Sequence, residues 1–200
     1  MIILLTVLCF FCGSLMFSYW VGLMIHKNIR TIGDGNPGAA NLWKSAGYKF
    51  GLLGVVLDFL KGYIPLFFIL SATNLTNYQL IPLALAPIFG HAFSPFLKCN
   101  GGKSLAVSFG VWSALTDWRG ALAYAIILAL LSLLLQLMKR RKSLTSEEDG
   151  RNTVIGMLLL VLFFIYGNYP NFIFWIWFGN LLILIYKNKQ SLFASTSQNS

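Results

Sequence analysis

The chain has 200 residues, 57% of them hydrophobic and 10% charged, with a mean hydropathy of +0.71. A soluble domain runs at roughly 45–50% apolar and 25% charged, so this composition excludes an ordinary soluble enzyme and fits a polytopic membrane protein. The formal charge of +9 sits in short turns between apolar runs, which assigns it to topology and anionic headgroups and argues against nucleic-acid binding.

A spanning helix needs about 20 apolar residues. The sequence predicts seven spans, over residues 2–25, 48–71, 79–93, 104–118, 120–138, 153–166 and 172–186. The first run lacks a basic flank and is too long for a signal-peptide core, so it reads as one retained transmembrane helix. Cys9 and Cys12 lie inside it without an electropositive neighbour and read as small apolar residues. With the N-terminus outside and the C-terminus cytoplasmic, every basic residue falls on the cytoplasmic side except Arg119 and the intramembrane Lys61. Loss of a pair of the shorter runs would keep that orientation, leaving five spans as the alternative. The expected architecture is all-α, a helical membrane bundle of one domain over residues 1–189. Residues 143–152, with Glu147, Glu148 and Asp149, read as a solvated loop, and the polar residues 190–200 as a disordered tail.

Two glycine-rich turns interrupt the apolar pattern on the cytoplasmic side. In Gly33-Asp34-Gly35-Asn36-Pro37-Gly38-Ala39-Ala40-Asn41 the glycines allow close backbone approach, and successive N–H groups can form an anion nest. Pro37, Ala39 and Ala40 suit the start of a helix, whose first N–H groups also favour anions. The second turn is Gly101-Gly102-Lys103-Ser104, which combines backbone donors, a helix start and one cation. It lacks the first glycine of a Walker A loop, whose position is Leu97, so nucleotide binding does not follow. The alternative is an interfacial turn in the first case and a positive-inside anchor in the second.

Asp58 and Lys61 share a face of the second span and can pair there. His91 follows a glycine near the membrane face; a hydrogen-bonded structural histidine is the alternative to a catalytic one. No second ligand stands at metal spacing, so neither metal nor cofactor is called for.

These residues resemble the bacterial acyl-phosphate-dependent glycerol-3-phosphate acyltransferases. Gly13-Ser14 matches a family Gly-Ser in the first span. The Gly33–Lys44 turn resembles the family's G-S-G-N-x-G-A-T-N-x-x-R. Asp58-x-x-Lys61-Gly62-x-x-Pro65 resembles its D-x-x-K-G-x-x-P, and Gly90-His91-x-Phe93 with Phe96-Leu97-Lys98-x-x-Gly101-Gly102-Lys103 resembles its third motif. The resemblance implies a seven-span fold with its active site on the cytoplasmic face of the bacterial cell membrane. It also implies transfer of a fatty acyl group from acyl phosphate to glycerol 3-phosphate, giving lysophosphatidic acid for phospholipid synthesis. Lys103 and His91 are then the candidate catalytic residues, Lys103 neutralising phosphate and the developing oxyanion. Gly35, Asn36, Gly38, Asn41, Lys44, Gly101, Gly102, Ser104 and Ser143 are the candidate phosphate contacts, with Asp58 and Lys61 as a structural ion pair. The implied partners are acyl phosphate, glycerol 3-phosphate or a related polyol phosphate, and membrane lipid.

The chain departs from the family pattern at Asp34 for serine, Ala40 for threonine and Lys44 for arginine. The family's C-terminal histidine and asparagine are also not recognisable. An aspartate in a phosphate loop repels a dianion unless it is paired or protonated. The alternative is therefore a divergent paralogue with another acceptor, or a non-catalytic lipid- or anion-binding membrane protein. A small transporter, resting on Asp58 and Lys61 alone, is a third reading.

Overall fold

The computed structural model describes residues 1–140 and 143–193. Among these, every regular element is helical. The α-helices are α1 (Ile2–Ser14), α2 (Phe17–Met24), α3 (Ala39–Ala46), α4 (Tyr48–Ala72), α5 (Leu80–Ala92), α6 (Leu105–Leu115), α7 (Arg119–Lys139), α8 (Ser146–Tyr166), α9 (Asn171–Lys187) and α10 (Lys189–Phe193). Each of the seven apolar runs forms helix. Five of them (α1 with α2, α4, the region around α5, α7 and α8) are long and apolar enough to cross a membrane; α6 and α9 are shorter apolar helices. α7 leaves Leu122, Ile126, Leu130, Leu133 and Leu137 exposed, a face that only hydrocarbon solvates well.

The first run is not the continuous helix expected over 2–25. α1 stops at Ser14, Leu15 turns to extended backbone (φ −62°, ψ 122°), and α2 restarts at Phe17. In a membrane the carbonyls at such a break need new donors. Ser94 Oγ donates to the Ser14 carbonyl at 2.7 Å, and the Lys61 ammonium donates to that of Leu15. The break thus gathers donors from α4 and from the turn after α5 onto the α1–α2 junction.

Helix contacts are set by glycines. A Cβ on Gly13 would stand 2.1 Å from the Pro87 carbonyl oxygen, and one on Gly90 would stand 2.2 Å from that of Phe10, so α1 and α5 touch backbone to backbone. Gly62 and Gly110 do the same between α4 and α6, at 2.5 Å from Val107 O and 2.2 Å from Phe59 O. Such small-residue contacts gain van der Waals packing where lipid supplies no hydrophobic drive. Side-chain hydrogen bonds complete the bundle: Trp112 Nε1 donates to Asn180 Oδ1 at 3.0 Å, Asn180 Nδ2 donates to Ser108 Oγ at 2.9 Å, and Tyr124 OH donates to Thr153 O at 2.8 Å.

Two further expectations change. Residues 143–152 are not a solvated loop. α8 starts at Ser146 under a Thr145–Glu148 capping box, and Glu148 is buried against Lys139. Residues 190–193 belong to α10, with Ser191 buried; 194–200, the rest of the expected tail, and the basic pair 141–142 lie outside the described residues.

Candidate functional site

The first glycine turn is closed by its own side chains. Gly33 and Gly35 take positive φ (56° and 70°), the left-handed region glycine adopts without strain. Buried Asn41 pins the turn: its Nδ2 lies 2.7 Å from Ile32 O, 2.9 Å from Asn36 O and 3.0 Å from Asp34 Oδ1. α3 then starts at Ala39, as expected, with no side-chain cap at Gly38.

The second turn is fixed from behind. Gly101 N donates to Ala92 O at 3.1 Å and Gly102 N to His91 O at 3.0 Å. A Cβ on Gly101 would sit 1.9 Å from the His91 carbonyl oxygen, so nothing larger than glycine fits without moving backbone. Ser104 adopts φ +63° and its Oγ donates to Ile88 O at 3.1 Å. α6 follows, also without a side-chain cap. From the far end of the chain Lys187 Nζ donates to both Ala92 O and Gly101 O, each at 2.9 Å.

Lys103 is carried on this braced loop and meets the first turn: its Nζ lies 2.8 Å from Asp34 Oδ2. Burial raises the Asp34 carboxyl, but the hydrogen bond and charge of Lys103, with donations from Asn36 N and Asn41, outweigh it and hold the group below its usual range. Lys44 Nζ donates to Ser146 Oγ at 2.7 Å, joining α3 to the start of α8.

Two cavities meet at this pair. A polar cleft of about 670 Å³ is lined by Arg30, Gly35, Lys187 and Lys189 among others. A groove of about 610 Å³ runs into the bundle past Trp43, Val55, Leu105, Phe109 and Leu128. Asp34, Asn36, Lys103 and Ser146 line both. The uncapped first turns of α3 (Ala39, Ala40) and α6 (Leu105, Ala106) also line the groove. Two sets of orphan helix N–H groups therefore open beside Lys103 and Lys44, which is chemistry for an anion.

Behind the groove lies the ionic cluster. Asp58 pairs with Lys61 at 2.8 Å and accepts from Ser18 Oγ at 2.6 Å. His91 Nδ1 is 4.0 Å from Asp58 Oδ1, and its side chain is buried against Gly102.

The glycerol-3-phosphate acyltransferase family model matches residues 3–195. The chain belongs to the glycerol-3-phosphate acyltransferase family. It is 37% identical over 188 residues to glycerol-3-phosphate acyltransferase 1 of Thermotoga maritima, spanning 92% of each chain. It is 27% identical to the Aquifex aeolicus glycerol-3-phosphate acyltransferase, covering 94% of this chain and 92% of that one. The crystal structure of PlsY (YgiH), an integral membrane glycerol 3-phosphate acyltransferase, in its glycerol 3-phosphate form superposes with a TM-score of 0.82 at 25% identity. The match covers 96% of this chain and 90% of that one.

Within this family member the structure brings together Gly35, Asn36, Gly38, Asn41, Lys44, Gly101, Lys103 and Ser104 around the two cavities. Gly102 is buried behind them. Ser143 is exposed and lines neither cavity; Ser146, three residues on at the start of α8, holds that place. Lys187 and Ser146 went unread in the sequence. Lys187 resembles any interfacial lysine there, and Ser146 sits inside a Thr145–Glu148 capping box that the acidic run around it obscures.

Proposed function

We propose that the chain transfers a fatty acyl group from acyl phosphate to the 1-hydroxyl of glycerol 3-phosphate, releasing lysophosphatidic acid and inorganic phosphate. The observation that carries this reading is the wall shared by the polar cleft and the apolar groove, with Lys103 in it. A phosphorylated, water-soluble acceptor and an acyl chain have to meet at one carbonyl carbon, and this junction separates an aqueous pocket from a greasy one. The acceptor oxygen attacks the acyl carbonyl, the carbonyl-to-phosphate C–O bond breaks, and phosphate departs with the electron pair. Lys103 and the α3 and α6 N-termini favour the negative charge that develops. His91 backs Gly102 and positions the loop.

The reading includes seven crossings, with α6 and α9 as short spans, the N-terminus outside and the C-terminus inside. That places both glycine turns on the cytoplasmic face of a bacterial cell membrane, on the side that holds nearly all the basic residues. The test is phosphate release by the purified full chain in detergent, supplied with long-chain acyl phosphate and glycerol 3-phosphate. Acceptor-dependent release is expected, with a loss of about 10²–10³-fold in Lys103→Ala. Absence of release in the native chain overturns the reading, and full activity of the variant overturns the role of Lys103.

The Asp34–Lys103 pair favours one alternative, an acceptor other than glycerol 3-phosphate, because the pair cancels one of the charges a phosphate would meet. Faster release with glycerol or another uncharged polyol under the same conditions would select it.

A further inference from the structure

Acyl transfer to an alcohol must also move a proton. A side chain placed to accept it contributes roughly 10²–10⁴-fold. Three carboxylates line the groove. Asp58 lies at its back, held by Lys61 and Ser18. Asp149 reaches the groove but not the polar cleft, and Glu147 reaches the cleft but not the groove. Asp34 lines both, at the junction where hydroxyl and carbonyl have to meet. Its two oxygens are differently engaged. Oδ1 is fixed by Asn41 Nδ2 at 3.0 Å and Asn36 N at 3.2 Å, while Oδ2 faces Lys103 Nζ at 2.8 Å with the side chain 27% exposed. One oxygen is anchored within the turn, and the other is held by a single lysine ammonium on the opposite loop.

We propose that Asp34 is the general base of the acyl transfer, an inference that rests on the acyltransferase reading above. In ligand-free protein Lys103 neutralises Asp34. When acyl phosphate enters, its dianion draws the Lys103 ammonium, the carboxylate loses part of its counter-charge, and it becomes a better proton acceptor. The acceptor O–H bond then breaks toward Asp34 Oδ2 as the new C–O bond forms. Phosphate leaves with its electron pair and collects the proton from Asp34, which restores the carboxylate. Substrate binding and activation of the base are coupled through one lysine.

The test uses the full chain in detergent, with Asp34→Asn and Asp34→Ala, and three readouts: kcat for phosphate release, binding of inorganic phosphate by calorimetry, and rescue by formate. Asp34→Asn is expected to lose about 100-fold in kcat, with phosphate binding equal or tighter because a like charge is gone. Formate is expected to restore Asp34→Ala at least about tenfold, by supplying a carboxylate in the vacated volume. Asp34→Asn within about threefold of the native kcat, or a loss that formate does not repair while phosphate still binds, overturns the proposal. So does loss of phosphate binding in both variants, which would make Asp34 a loop brace. A native chain inactive toward acyl phosphate would instead strike the acyltransferase reading itself.

Discussion

The Lys187 ammonium and the Gly101 carbonyl, 2.9 Å apart, tie the last apolar helix to the loop that carries Lys103. The same ammonium also holds Ala92 O at 2.9 Å, the acceptor of the Gly101 N–H, and stands 5.6 Å from the Phe93 ring centroid. The loop is therefore clamped between α5 and α9, and Lys103 extends from a fixed base. Hydrogen bonds from a charged group contribute about 1.5–3 kcal/mol. Lys187→Met should lower the melting temperature in detergent and cut kcat about tenfold, with Lys187→Arg recovering most of both. Unchanged activity in Lys187→Met would show that the loop holds its shape without the clamp.

Gly101 admits no side chain. An alanine Cβ would lie 1.9 Å from His91 O and 2.9 Å from Ala92 O, both backbone atoms that cannot rotate away. Gly101→Ala should therefore push the loop off α5 and misplace Lys103, cutting phosphate release about 100-fold while the helical content by circular dichroism stays native. The displacement needed exceeds an ångström, and misplacement on that scale costs roughly 10²-fold in rate.

Asp58 and Lys61 are 2% and 5% exposed. Removing one partner of a buried pair costs about 3–5 kcal/mol because it strands the other charge, whereas removing both is far milder. Lys61→Met should be strongly destabilising, since it strands Asp58 and leaves the Leu15 carbonyl at the α1–α2 break without its donor. The double variant Lys61→Met/Asp58→Asn should melt closer to the native protein than Lys61→Met alone. Equal melting of the two would show that the break, rather than the ion pair, sets the requirement for Lys61.

The helices were legible because lipid demands long apolar runs, and the glycine turns because few other sequences bring so many small and polar residues to a membrane face. The break after Ser14 was not legible. Leu15 and Met16 are as apolar as their neighbours, and the partners that stabilise the break, Ser94 and Lys61, lie 80 and 46 residues away. Asp34 was legible as a charge out of place. Only the fold shows that Lys103 answers it, and that the two residues divide a polar cleft from an apolar groove. The capping box Thr145-x-x-Glu148 was present in the sequence but hidden by the acidic run around it.

Ala106 tests the groove. It lies in the first turn of α6, on the lining shared with Leu105, Phe109, Trp43 and Leu128. Its methyl group leaves space that a leucine side chain would fill. If the acyl chain lies along this surface, Ala106→Leu should raise KM for a long-chain acyl phosphate about tenfold, or 1.4 kcal/mol, and change KM for a short-chain one little. Lys103 and the glycine loop are untouched by the substitution, so kcat with the short donor should stay native. An equal rise for both donors would place the acyl chain elsewhere, because a blocked groove discriminates by chain length and a disturbed phosphate site does not.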